Sequence, residues 1–286
     1  MDNFPGLADA PPIRLLLILL ILLCDAVRAS PLSLPIVLRE PKGVEASSIA
    51  DYQAALDAIL PVLSGRLALP IPRYTLEIHA ARDEFEAALV SELKMRPETA
   101  RSTAGFAKAA VGNYKILVNE AAMSGTDWRE RVVILAHELG HATQMELCDH
   151  RRWLSRQQWL VEGFAEWVAY QVVDALGIED ATRARERMRG DLRALRRAGA
   201  IPALHELASL EQWVASHKEH GFSAPYSFSF LIVDFLADRY SFEALVDFFR
   251  RFRSQPDAEA NFRAAFGVDM EEFEQTLEDY FDALLQ

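Results

Sequence analysis

Two short stretches carry side chains that could do chemistry together: "HELGH", from His137 to His141, and "WLVEGFAEW", from Trp159 to Trp167. Residues four apart on a helix share a face, so the imidazoles of His137 and His141 can both reach one ion. Glu138 lies about 100° around the axis from His137, and its long side chain can reach a water beside the ion without ligating the ion itself. Taken alone, these five residues also fit an ordinary core helix with satisfied polar groups. The second stretch shifts the balance. Glu162 interrupts an apolar run, where an unpaired carboxylate is costly to bury. One zinc ion held by His137, His141 and Glu162 compensates that charge and leaves the open fourth position that a catalytic zinc needs. Glu166, one turn further on, falls on the same face and can accept the free N–H of a zinc-bound histidine, which fixes its tautomer and orientation. An exposed helix glutamate, or an exchange of roles with Glu162, are the other readings of that residue.

These groups need helices beneath them, and the chain supplies a pattern for that. "VVILAHELGHATQME" sits in a segment that Asp127 can cap, and helical spacing recurs near 127–147, 156–176, 180–198, 224–240, 241–253 and 257–285. Upstream, "SSIADYQAALDAILPVLSGRL" spaces its apolar residues along one helical face behind an N-cap serine. "RYTLEIHA" alternates Tyr74, Leu76 and Ile78 against polar neighbours, as a half-buried strand does, and "DEFEAALVSEL" returns to helical spacing. After a break at Pro97, "GFAKAAVGNYKILVNE" gives two apolar runs split by Gly112 and Asn113, a hairpin signal. The expected class is α+β: a small N-terminal sheet packed with helices over 47–126, followed by a mostly helical zinc-binding part over 127–286.

The pair of motifs resembles the gluzincin metallopeptidases, the peptidase MA-like group that includes thermolysin and the zinc aminopeptidases, and above all the small bacterial peptidase MA-like domains. The likeness covers about residues 70 to 285, with its specific part in the two motifs. It implies a zincin body in which His137, His141 and Glu162 hold one zinc, Glu138 activates the water and Glu166 orients a histidine. It also implies an edge strand upstream of the motif helix that binds extended peptide by strand addition, a place held by Tyr114–Glu120. "APYSFSFLIVDFLADRYSFEALVDFF" looks like the downstream helix pair of these domains, where a tyrosine at the helix start can donate to the oxyanion; Tyr226 holds that position. A capping or core tyrosine is the plain alternative, and His217 and His220 in the preceding loop are others for the same role. Relatives often carry glycine where this chain has Ser241, and serine caps a helix well. The motif that captures a free substrate amine in aminopeptidases is not evident, which favours an endopeptidase or an unassigned substrate.

The N-terminus reads as an export signal. Arg14 is followed by ten apolar residues, "LLLILLILLC", far short of the roughly twenty that span a bilayer. Val27 and Ala29 are the small residues before a cut near Ser30, so residues 1–29 are expected to be a signal peptide, or else an uncleaved anchor giving membrane association. Leu23 is too large for lipoprotein processing at Cys24. Residues 30–46, rich in proline and small residues, read as a tether. The location expected is exported, periplasmic or secreted. A net charge of −12 argues against a nucleic-acid partner. Cys148 alone remains beyond the cut and reads as a buried thiol. The seven arginines between Arg183 and Arg197, interleaved with Glu186 and Asp191, read as a solvated helix face, with contact to anionic lipid or a cell-wall polymer as the lesser reading.

These readings converge on an exported single-zinc metallohydrolase acting on a peptide or protein. Two others compete: a zinc-binding scaffold without turnover, and a hydrolase of cell-wall peptide.

Overall fold

The computed structural model describes residues 49–150, 157–199, 201–221 and 223–285. The expected export signal (1–29) and tether (30–46) lie outside the described residues. Among the described residues no helix is long and apolar enough to cross a membrane.

The first helix, α1 (Tyr52–Pro61), starts after Asp51, whose carboxylate accepts a hydrogen bond from the Ala54 N–H at 2.7 Å. The expected serine cap is therefore replaced by an aspartate, which satisfies the same orphan donor. A π-helical turn (Val62–Arg66) extends α1.

Three strands follow: β1 (Thr75–His79), β2 (Ala109–Gly112) and β3 (Lys115–Asn119). Their order is β1-β3-β2, with β1 parallel and β2 antiparallel to β3. The segment Tyr114–Glu120, expected at an edge, contains the central strand. The chain leaves β1, passes through α2 (Arg82–Ser91) and α3 (Pro97–Ala104), forms β2, and then folds back as a hairpin into the gap between β1 and β2. With neighbours on both sides, β3 has no edge to offer a peptide; the edges belong to β1 and β2. The hairpin turns at Asn113 and Tyr114, one residue later than expected, and both have positive φ (45° and 61°), as a two-residue primed turn requires. Pro97 opens α3 rather than breaking structure, since its missing N–H is an orphan at that position anyway.

The sheet is covered on both faces. Leu117 and Ala110 pack on Phe85 and Leu89 of α2 and Ala100 of α3, making a small satellite core. Ile116, Val118 and Val111 join the main core with α1, α4 (Trp128–Leu147) and α5 (Gln158–Ala175). That core runs through both expected parts of the chain, so the change at 126/127 is one of secondary structure rather than of core. On β1 the alternation is only partly used: Ile78, expected inward, is 49 % exposed.

The helical body continues with α6 (Ala181–Arg197), α7 (Leu210–His220), α8 (Ser223–Tyr240), α9 (Phe242–Arg251), α10 (Ala258–Phe266) and α11 (Met270–Leu284). The expected segment 257–285 is two helices, because Gly267 adopts a left-handed conformation (φ 76°) and ends α10. His217 and His220, expected in a loop, lie on α7, which is started by a reciprocal cap between Ser209 and Gln212. Ser241 caps α9, but with φ 89° it holds a backbone shape that glycine adopts without strain. Cys148 is buried at the end of α4.

Two polar clamps set the helices that matter. Arg131, near the start of α4, donates to both carboxylate oxygens of Glu120 (2.9 and 2.7 Å) and to the carbonyls of Met123 and Thr126, while the Tyr52 hydroxyl of α1 also donates to Glu120. This ties α4 to the end of the sheet and to α1. Asp234 of α8 accepts from Trp167 of α5 (3.1 Å) and from Arg185 of α6 in a forked pair (2.6 and 2.8 Å). Arg193 and Arg196 reach carbonyls at the C-terminal end of α11. Several arginines expected on a solvated face therefore bind helices to one another.

The hydrogen bonds from Arg131 hold the Glu120 carboxyl below the usual range, against some desolvation. The pair's stabilisation is thus fully present at neutral pH and fades as pH falls through the depressed value. Glu120→Gln should cost about 1–3 kcal/mol at pH 7, allowing for partial exposure. Urea unfolding should show that difference closing below about pH 4; a gap that is unchanged at low pH would mean the charge is not what stabilises the clamp.

Candidate metal centre

Helices α4 and α5 lie side by side with their backbones in contact. A Cβ at Gly140 would sit 3.0 Å from the Ala165 Cα, and one at Gly163 would fall 2.3 Å from the Ser229 carbonyl oxygen on α8. These glycines let α5 nest between α4 and α8. The nesting brings Glu162 beneath the two histidines of α4.

The side chains converge on one point. The Nε2 atoms of His137 and His141 are 3.0 Å apart, and each lies 3.4 Å from Oε2 of Glu162. His141 and Glu162 are buried, and His137 is nearly so. Four-coordinate zinc with bonds of about 2.0–2.1 Å separates its ligands by about 3.3 Å, which is the spacing seen here. The group could hold a metal ion.

The far sides of the ligands explain why these three atoms face one another. His137 Nδ1–H donates to Glu166 Oε2 at 2.9 Å, and His141 Nδ1–H donates to Gln144 Oε1 at 2.9 Å. Gln144 is itself fixed, donating through Nε2 to the Val161 carbonyl of α5 at 2.9 Å. With both Nδ1 atoms carrying protons, both Nε2 lone pairs point inward. Gln158 Nε2 donates to Glu162 Oε1 at 2.7 Å, leaving Oε2 buried without a hydrogen-bond partner among the described residues. Two lone pairs and one bare carboxylate oxygen require a cation between them. Without a metal, a proton serves. Burial opposes charge on His137, but Glu162 and Glu166 outweigh it and lift its pKa to about 10. Burial likewise opposes charge on Glu162, and the two histidines hold it well below the usual carboxylate range.

Glu138 is not part of this triad. Its carboxylate is buried at the floor of the cavity beside the cluster, with Oε2 making no hydrogen bond among the described residues, and burial raises its pKa. Tyr226, at the first turn of α8, places its ring edge-on to His137 with centroids 5.8 Å apart. Burial, reinforced by Glu162, Glu166 and Glu138, pushes its pKa well above that of an ordinary tyrosine, so its hydroxyl keeps its proton. Trp213 and His217 of α7 pack on Tyr226, each at 5.2 Å between centroids.

All of this faces a cavity of about 490 Å3. Its walls are Phe106–Ala109 at the entry to β2, Val133 and Ile134 of α4, Met188 and Asp191 of α6, Trp213 of α7, and Tyr226 and Ser227 of α8. The expected site residues His137, Glu138, Glu162, Glu166 and Tyr226 line it together, and His141 lies behind them. His220 is not among the residues lining it. Gln144, Gln158, Gly140 and Gly163 escaped the sequence reading. Gln144, three residues after His141, and Gln158, four before Glu162, share helix faces with the ligands they hold, which was the available signal.

Compared with known proteins, the chain matches no protein-family profile, and no curated protein or solved structure is significantly similar to it. The case for a metal centre rests on its geometry.

Purified protein supplied with zinc should retain about one equivalent, as a site with three protein ligands does. His141→Ala should abolish retention, and Glu166→Gln should weaken affinity about 10–100-fold without removing the site. Gly163→Ala should lower stability by about 1–3 kcal/mol and loosen metal binding with it, through the forced shift of α5 against α8. Equal metal content in all four proteins, measured by elemental analysis after dialysis, would place the ion elsewhere.

Proposed function

We propose that this chain is a zinc-dependent peptidase whose centre works as the gluzincin-like motifs suggest. The observation that carries the reading is the placement of Glu138. Its buried carboxylate lines the same cavity as His137 and Glu162, with His141 completing the cluster behind them. When bound, zinc supplies a Lewis acid that polarises a carbonyl and acidifies water.

The chain's own residues supply the rest. His137, His141 and Glu162 hold the ion, and Glu166 and Gln144 keep the imidazoles in the ligating tautomer. Glu138 takes the proton of the attacking water and passes it to the leaving nitrogen; burial raises its pKa, which strengthens it as a base. Tyr226, protonated at all relevant pH, donates to the oxygen that becomes negative. Apolar walls exclude water, which strengthens each of these interactions.

The substrate backbone needs a rail, and β2 supplies one in place of Tyr114–Glu120. Among the described residues it pairs only with β3, and Phe106 to Ala109 at its start form part of the cavity wall. An extended peptide added to that edge would pass in front of the metal ligands. The proposed location, exported and periplasmic or secreted, rests on residues 1–29.

Glu138→Gln should retain zinc and lose cleavage of a broad peptide library, by about 10²–10⁴-fold at least. Tyr226→Phe should lower kcat about 10²–10³-fold with little change in KM. Wild-type protein that holds zinc but cleaves no peptide, cell-wall peptide included, would favour the scaffold reading.

A further inference from the structure

We propose that Asp191 forms a subsite for a cationic group of the substrate, an ammonium or a guanidinium. This rests on the peptidase reading for its context, and its test does not depend on turnover.

Helix α6 carries seven arginines and two acidic residues, Glu186 and Asp191. Glu186 behaves as expected on such a helix, pairing with Arg189 at 2.7 Å and with Arg193 at 3.9 Å. Asp191 does not. Among the described side chains no cation lies within ion-pair distance of it, although arginines flank it on its own helix. Those arginines are engaged elsewhere: Arg187 with Tyr170 and Glu179, Arg185 with Asp234, and Arg193 with Glu186 and the Leu284 carbonyl. Among the described residues the one hydrogen bond to the Asp191 carboxylate comes from a neutral group, the Ser227 hydroxyl, at 3.0 Å to Oδ2.

Asp191 also lines the cavity of the metal centre. Most other charges on that wall are matched: Glu162 and Glu166 by the histidines, Glu130 by Lys108, Arg187 by Glu179. Apart from Glu138, to which the proposed mechanism already gives a role, Asp191 is the carboxylate of the cavity without a cationic partner among the described side chains. Ser227 is buried and holds one carboxylate oxygen in place, so the anion is oriented in advance of any ligand. Met188, Trp213 and Tyr226 line the same cavity. A methylthioether and two aromatic rings suit the methylene stem of lysine or arginine, and the ring faces also attract the charged head. A substrate's free α-amine presents the same ammonium chemistry to the same carboxylate.

The test measures binding by calorimetry in the zinc-loaded Glu138→Gln protein, which keeps the ligands and prevents turnover. The probes are acetylated, amidated alanine pentapeptides with lysine, arginine or norleucine at the centre, and the norleucine peptide with its amine free. The cationic peptides should bind at least tenfold more tightly than the blocked norleucine peptide. Asp191→Asn, which can still accept from Ser227, should erase that gap. A gap for the central lysine or arginine identifies the side chain as the source; a gap only for the free amine identifies the N-terminus. Equal binding of all four peptides in the protein with Asp191 intact, or a gap that survives Asp191→Asn, overturns the subsite. A gap that Asp191→Asn erases, in a protein whose wild type cleaves nothing, would refute the peptidase reading while leaving the subsite standing.

Discussion

The structure turns on a buried carboxylate that cannot be left alone. Glu162 lies in an apolar helix at the meeting point of α4, α5 and α8, with one oxygen held by Gln158 and the other bare toward two imidazole nitrogens. Burying that charge costs several kcal/mol unless something positive sits beside it. The surroundings hold the need in place: Glu166 and Gln144 fix the outer nitrogens as donors, so the inner nitrogens face inward as acceptors. A protein that had no use for a cation here would gain stability from three apolar side chains. Retaining this cluster is best understood as binding.

The packing around the cluster is correspondingly tight. Gly140 and Gly163 bring three helix backbones closer than any side chain would allow, and Arg131 and Asp234 tie the outer ends of those helices to the sheet, α1 and α6. Rigid helices are better platforms for ligands than loops, because a small displacement spoils a coordination sphere. The cavity in front is walled by the approach to β2 on one side and by α6, α7 and α8 on the other. One scaffold thus presents a candidate metal centre, the carboxylates of Glu138 and Asp191, and a protonated tyrosine to one cavity.

Much of this was legible in the sequence because it follows helical spacing. His137 and His141 share a face by their separation of four, and so do Glu162 and Glu166; the apolar setting of Glu162 signalled a charge in need of a partner. The class was legible too, since a short alternating segment and a hairpin preceded a long run of helical patterns. What failed was non-local. Nothing in "YKILVNE" says whether it pairs on one side or two, because that depends on where β1 lies, and β3 is central only through the fold-back of the hairpin. The arginines of α6 looked solvated because their partners, Asp234 and the end of α11, are distant in the chain. Gly140 and Gly163 look like ordinary helix glycines until the facing backbones are placed. The short helix α7 was missed for another reason: its weak apolar pattern was outweighed by its polar residues, although its cap at Ser209 and Gln212 was visible.

The central claim concerns the atoms around the ion, so the most direct test is X-ray absorption at the zinc edge on the zinc-loaded full chain. The account predicts a four-coordinate light-atom shell at about 2.0–2.1 Å with multiple-scattering signatures of two imidazoles and no sulfur. A sulfur shell near 2.3 Å, or a six-oxygen shell without imidazole scattering, would contradict it.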